Sequence, residues 1–181
     1  MLFIFLSFAF SYINLEDQIN KKDQLFIQHN DIDQNQNKLK KKYLSSTCPN
    51  SQVTYSITDD IMTISGSGEL DYQCTHENIP NYKYIKQISI LSEIQLGSRC
   101  FSQYSQLESI DLRKVKILGD ISFYNCYLLK SVQLSDQITK IPDTCFFNCM
   151  SLEEITIPEG VTYIGEQSFH SCVSLKSITI P

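Results

Sequence analysis

The sequence predicts a leucine-rich-repeat solenoid, β-rich, with one short strand, a second extended piece and a short helical turn in each coil of 22–23 residues. Three observations predict it. Leu152 and Leu175, Phe146 and Phe169, and Cys149 and Cys172 each stand 23 positions apart. The same register continues backwards through Phe123, Cys126, Leu129 and Leu107, with one step shortened to 22. Each unit also opens on a short alternating apolar run, as in Leu129–Leu134 and Leu152–Ile157. A period of roughly 20–29 residues that begins on a strand is the mark of stacked coils, in which no unit buries enough apolar surface to stand alone.

Taken in order, the chain opens on the apolar run Leu2–Phe10, closed by the small-x-small step Ala9-Phe10-Ser11. Residues 1–11 read as a signal peptide, although short and without a preceding Lys or Arg. The run is too short to span a bilayer, and nothing later reads as a transmembrane segment. The expected location is extracellular or at the cell surface; cytoplasmic is the alternative if the run is retained. Residues 12–47 are dominated by Asn, Gln, Asp and Lys and read as a disordered polar linker, because such a composition buries too little to offset ordering.

Residues 48–84 read as an N-terminal β-hairpin cap and its loop. Val53, Tyr55 and Ile57 alternate, Thr58-Asp59-Asp60 turns, Ile61–Ser65 alternates again, and Gly66-Ser67-Gly68 breaks the strand. A hairpin there would cover the raw apolar end of the first coil. Glu69–Lys83 is the connecting loop.

Residues 85–181 hold about four and a half repeats. The strands are Ile85–Ile90, Leu107–Leu112, Leu129–Leu134, Leu152–Ile157 and Leu175–Ile180. The extended piece carries paired anchors, Val115/Leu118, Ile138/Ile141 and Val161/Ile164. The turn carries a small residue, a phenylalanine and a cysteine: Ser122-Phe123-x-x-Cys126, Cys145-Phe146-x-x-Cys149 and Ser168-Phe169-x-x-Cys172. In the earliest coil Cys100, Phe101 and Tyr104 take those places. Gly97, Gly119 and Gly165 follow the second anchor, where a tight or left-handed bend would need no Cβ. The last strand is an edge that invites pairing, so edge-to-edge self-association at the C-terminal end is expected.

The unit NCMSLEEITIPEGVTYIGEQSFHSCVSLKSITIP resembles the BspA-type leucine-rich repeats of surface and secreted proteins in bacteria and parasitic protists. The upstream VTYSITDDIMTISGSGELDY resembles a unit that often precedes them. The resemblance covers about Cys48–Pro181 and implies a binding module, with adhesion as a proposed role and no ligand specified.

The chemistry-bearing residues point to packing. Cys126, Cys149 and Cys172 recur at the coil period, which makes a row, whereas a metal needs ligands converging from several directions. They read as buried thiols acting as small hydrophobes, and Cys145 fills the small-residue place of Ser122 and Ser168. Cys48 and Cys74 flank the hairpin and could form a disulfide if the chain is exported. His29, His76 and His170 have no period-matched Ser, Cys or carboxylate partner. No phosphate loop, metalloprotease helix or nucleophile elbow occurs. No enzyme activity, metal or cofactor is expected. The 15 Lys and Arg against 20 Asp and Glu give a net charge of −5 and no basic stripe, so nucleic acid is not an expected partner. No N-x-Ser/Thr sequon occurs.

What remains is surface. Ser89, Asp111, Gln133, Thr156 and Thr179 should stack in one exposed row, with Gln87, Ser109, Ser131, Glu154 and Ser177 beside it. Lys140 and Tyr163 extend the candidate face from the side piece. Such a flat polar surface suits a protein or glycan partner; the plainer alternative is that Ser and Thr are soluble fillers. An intracellular scaffold, or a piece of a longer array without its own ligand, is the competing reading.

Overall fold

Alternating apolar and polar residues become strand wherever the sequence repeats them, and the repeats stack those strands into one sheet. The computed structural model describes residues 43–49 and 51–180. The signal peptide and most of the linker expected before them lie outside the described residues. The chain runs through β1 (Tyr43–Thr47), β2 (Thr54–Thr58), β3 (Ile61–Ser65), β4 (Glu69–Leu70), β5 (Gln87–Ile90), β6 (Ile94–Leu96) and β7 (Ser109–Leu112). It continues through β8 (Val115–Ile117), β9 (Ser131–Leu134), β10 (Lys140–Ile141), β11 (Glu154–Thr156), β12 (Tyr163–Ile164) and β13 (Ser177–Thr179). The main sheet has the order β1-β2-β3-β5-β7-β9-β11-β13. A second side of each coil forms β4-β6-β8 and then β10-β12.

Two boundaries differ from the sequence expectation. The linker expected to reach residue 47 ends sooner, because Tyr43–Thr47 pairs antiparallel with Thr54–Thr58 along its whole length. The hairpin is also more than a cap. Its strand β3 pairs antiparallel with β2 and parallel with β5, Met62 opposite Ile88, so residues 61–84 form a coil of their own. That coil is longer than the others, a step of 26 from Met62 to Ile88, because a π-helical turn (Gln73–Glu77) and a 3₁₀ turn (Tyr82–Tyr84) are inserted. The insertions shift it out of the 22–23-residue period and hide it from a search at that spacing.

The one-residue shortening also has a physical location. Ile90 to Ile94 and Leu134 to Ile138 are four steps, but Leu112 to Val115 is three. The lost residue reappears as a register shift between β6 and β8, where Ile94 faces Val115 but Gln95 faces Ile117.

The third side, expected as a helical turn, is a run of tight turns. Every second amide bonds within the coil, as in Cys100 N–H to Gly97 O at 3.3 Å and Ser102 N–H to Arg99 O at 3.1 Å. The amides between them reach the next coil: Arg99 to Asp120 O, Phe101 to Ser122 O and Gln103 to Tyr124 O, at 2.8, 2.8 and 2.6 Å. The pattern repeats from Ile121, Phe123 and Asn125 and again from Thr144, Phe146 and Asn148. Left-handed residues spaced four apart make this possible: Arg99 and Gln103, Ile121 and Asn125, Thr144 and Asn148, Gln167 and Ser171 all have positive φ. A helix would turn those amides along its own axis; the left-handed residues turn them toward the neighbouring coil.

The core is a line of side chains in step. Phe123 and Phe146 stack with centroids 5.2 Å apart and planes at 5°, and Phe146 and Phe169 at 5.5 Å and 8°. Tyr124, Phe147 and His170 form a second, half-exposed stack on the same side. Inward residues of the main sheet are buried, Leu134 only partly, until the last described strand, where Ile178 and Ile180 are 36% and 61% exposed against 3% for Ile155 and Ile157; on the second sheet the expected anchor Ile164 is 39% exposed. Among the described residues β13 pairs only with β11.

The glycines after the second anchor are not left-handed; positive φ among the described glycines occurs at Gly66 and Gly68. Gly119 and Gly165 are needed because there the coils approach too closely for a side chain. A Cβ on Gly119 would lie 2.3 Å from the Gly97 carbonyl carbon and 2.4 Å from the Ser98 nitrogen, both backbone atoms with nowhere to move. We expect Gly119→Ala to lower stability by about 3 kcal/mol, at the upper end for overpacking. A urea midpoint matching the parent protein would show that the coils separate easily there.

Candidate functional site

The strand face is built by register. Parallel pairing sets Gln87 opposite Ser109, Ser109 opposite Ser131, Ser131 opposite Glu154, and Glu154 opposite Ser177. The neighbouring row pairs Asp111 with Gln133 and Thr156 with Thr179, and Ser89 joins it opposite Thr63 of β3. Because side chains alternate along a strand, both rows point outward while Ile88, Ile110, Val132 and Ile155 point in. All ten residues of the two rows are exposed. Lys140 and Tyr163 pair with each other, but on the second sheet, so they belong to a different side of the coil.

Arg113 offsets the charge that Asp111 carries on the face. Asp111 is held by Arg113, with Nε to Oδ1 at 3.0 Å and Nη2 to Oδ2 at 2.6 Å, and these hydrogen bonds keep its carboxyl below the usual range. Tyr163 donates to Asp143 Oδ1 at 2.8 Å, and that bond raises its phenol pKa. A shallow groove of about 360 Å³ crosses the outward row, lined by Lys130, Ser131, Glu153, Glu154, Lys176 and Ser177.

Sequence reasoning missed a column bordering this face. Asp60, Lys86, Glu108, Lys130, Glu153 and Lys176 sit one per coil, joined by a backbone bond at each step, and their charges alternate without exception. Three neighbouring pairs close as ion pairs: Lys86–Asp60 at 3.1 Å, Lys130–Glu108 at 3.2 Å and Lys176–Glu153 at 2.7 Å. The signal was available in the residue preceding Gln87, Ser109, Ser131, Glu154 and Ser177, read down the period instead of along the chain.

The cysteines find uses within the fold. The thiols of Cys126, Cys149 and Cys172 donate to the carbonyls of Phe101, Phe123 and Phe146 in the preceding coil, at 3.2, 3.3 and 3.2 Å. Tyr104 holds the same place one coil earlier, its hydroxyl donating to Thr75 O at 2.8 Å. Burial raises the pKa of Cys126 and Cys149 strongly and that of Cys172 to about 11, so none is poised as a thiolate. Among the described residues no group of three or more His, Cys, Asp or Glu is placed to hold a metal. Cys48 and Cys74 form a disulfide that ties the start of the hairpin to the inserted turn.

His76 explains the N-terminal end. In later coils the carbonyls equivalent to Cys100 O and Ser102 O receive amides of the preceding coil. The first coil has the π-helical turn there instead, and side chains supply the donors. The Thr75 hydroxyl donates to Cys100 O, and His76 Nε2–H donates to Ser102 O at 2.7 Å. The imidazole lies against Tyr72 at 4.2 Å, Tyr82 at 4.3 Å and Tyr104 at 5.6 Å. Burial lowers its pKa to about 4, against the opposing pull of its backbone hydrogen bonds.

The unfolded chain protonates near 6.5, before the folded one, so this contribution to stability is complete above pH 6.5 and is lost as the pH falls toward 4. The loss should reach about 3 kcal/mol. His76→Gln keeps an N–H donor and should flatten the urea midpoint between pH 7 and pH 4.5 relative to the parent. Parallel profiles for the two proteins would rule out His76 as the source.

Residues 76–181 match the BspA-type leucine-rich repeat region, in six copies. The chain belongs to the BspA-type leucine-rich repeat family. Among solved structures, a leucine-rich repeat protein from Eubacterium ventriosum superposes with a TM-score of 0.57 at 21% identity, over 76% of this chain and 44% of that one. A leucine-rich cell surface protein from Faecalibacterium prausnitzii gives a TM-score of 0.47 at 25% identity, over 72% and 32%. The first likeness shows the fold. The chain spans less than half the length of both. No curated protein sequence matches it. As a BspA-type repeat module the chain has no helix, among the described residues, long and apolar enough to cross a membrane.

Proposed function

We propose that this chain is the non-enzymatic binding module of a secreted or cell-surface protein, and that it holds a protein or glycan partner against its strand face. The observation that carries this reading is the two-row polar surface, ten exposed residues set in register on a sheet whose other side is the core. Short hydroxyl and amide side chains on a rigid sheet lose little entropy when a partner orders them, which favours them as contact groups. Export is supported by the apolar run Leu2–Phe10 and by the Cys48–Cys74 disulfide, a bond that persists in oxidising compartments. Adhesion is the role this arrangement suits.

Gln133→Arg with Thr156→Lys tests the placement. Against a panel of immobilised extracellular-matrix proteins and a glycan array, the parent should retain a partner that the double variant loses, with circular dichroism and urea midpoint unchanged. Equal retention by both proteins would remove the strand face from the reading. A native N-terminus near Tyr12 would support export, and retained Met1 would favour an intracellular scaffold.

A further inference from the structure

Beside the strand face runs a row of exposed apolar side chains that the core does not use. Tyr127, Met150 and Val173 each follow a ladder cysteine, one per coil, and are 37%, 42% and 78% exposed. Ser151 N–H to Tyr127 O and Ser174 N–H to Met150 O, both 3.2 Å, hold the coils in step there. Three residues further along each coil comes the alternating charge column, beyond the leucines that point inward. An apolar strip rimmed by charge has the anatomy of a contact surface.

We propose that this strip and the charge column bind a second copy of the chain, side by side and antiparallel about a two-fold axis. The alternation of sign selects the arrangement. Two copies laid parallel and in step would set like charge on like, and a two-fold axis passing through a rung would set Glu153 against Glu153. An axis passing between rungs makes every facing pair opposite. With the axis between the Lys130 and Glu153 rungs, Lys130 faces Glu153 of the second copy and Glu108 faces Lys176, each twice. The same axis sets Tyr127 against Met150 of the second copy, an aromatic ring on a thioether. A second copy carries the same coil spacing, so the match continues rung by rung, while the ion pairs within each chain stay closed. The contact is lateral and independent of β13.

Sedimentation equilibrium of the disulfide-bonded 181-residue chain, taken to about 1 mM, should show a dimer that weakens as salt is raised. Met150→Asp should raise the dissociation constant at least about ten-fold, with the urea midpoint unchanged. The decisive variant exchanges the two central charges, Lys130→Glu with Glu153→Lys. It should dimerise with itself in preference to the parent, because no register then sets every rung of a mixed dimer against its opposite, read by native mass spectrometry of isotope-labelled mixtures. Monomers at every concentration, free mixing of parent and exchanged chains, or a dimer lost on Thr179→Pro and retained on Met150→Asp would each overturn the proposal.

Discussion

Phe146→Ala should lower stability by about 3–5 kcal/mol, the cost of removing a fully buried ring and leaving its cavity. The large value is expected because Phe146 has an aromatic neighbour on both sides, Phe123 at 5.2 Å and Phe169 at 5.5 Å. A globular core could collapse around the gap from several directions. Here the backbone of each coil is pinned to the next by the Phe123 N–H to Cys145 O and Phe146 N–H to Ser168 O bonds, both 2.8 Å, so the coils cannot close over it. Urea denaturation followed by far-ultraviolet circular dichroism would read the loss. A midpoint equal to the parent's would mean that the ring stack is not what joins these coils.

Replacing Cys48 and Cys74 together by serine should cost about 3.5 kcal/mol, from the loop-closure entropy of a cross-link across a separation of 26 residues. The effect should be local first. The bond joins the residue after β1 to the π-helical turn, and the hairpin has few other ties to that turn, among them the Tyr55 hydroxyl donating to Asn78 O at 3.2 Å. Limited proteolysis should therefore cut the double variant within residues 43–65 before the later coils open. Cleavage no faster than in the parent would show that the hairpin pairing alone secures that end.

The sequence disclosed the parts of this fold that repeat and concealed those that occur once or act between coils. Leu129, Phe146 and Cys149 are legible because burial demands the same residue type at each turn of the period. The left-handed turns are not, because Arg99, Ile121, Thr144 and Gln167 are not residues that announce positive φ; amide bonds to the adjacent coil hold Arg99, Ile121 and Thr144 there. The coil at residues 61–84 looks like hairpin and loop in the sequence because its insertions move it out of step. The outward rows of the strand face were placed by alternation alone. Lys140 and Tyr163 extend that face from the side piece, which is the second sheet, where they pair with each other.

The amides of the third side have a collective property that the strands lack. In the parallel sheet successive peptide groups point to opposite neighbours, and their dipoles largely cancel. On the turn side the amides of Arg99, Phe101 and Gln103, then Ile121, Phe123 and Asn125, then Thr144, Phe146 and Asn148, all point toward the following coil. Each coil thus adds its dipoles in the same sense, as an α-helix does, and the column becomes electrically polar along the solenoid axis. Its negative pole is the row of carbonyls at Cys100 and Ser102, where Thr75 and His76 stand as donors.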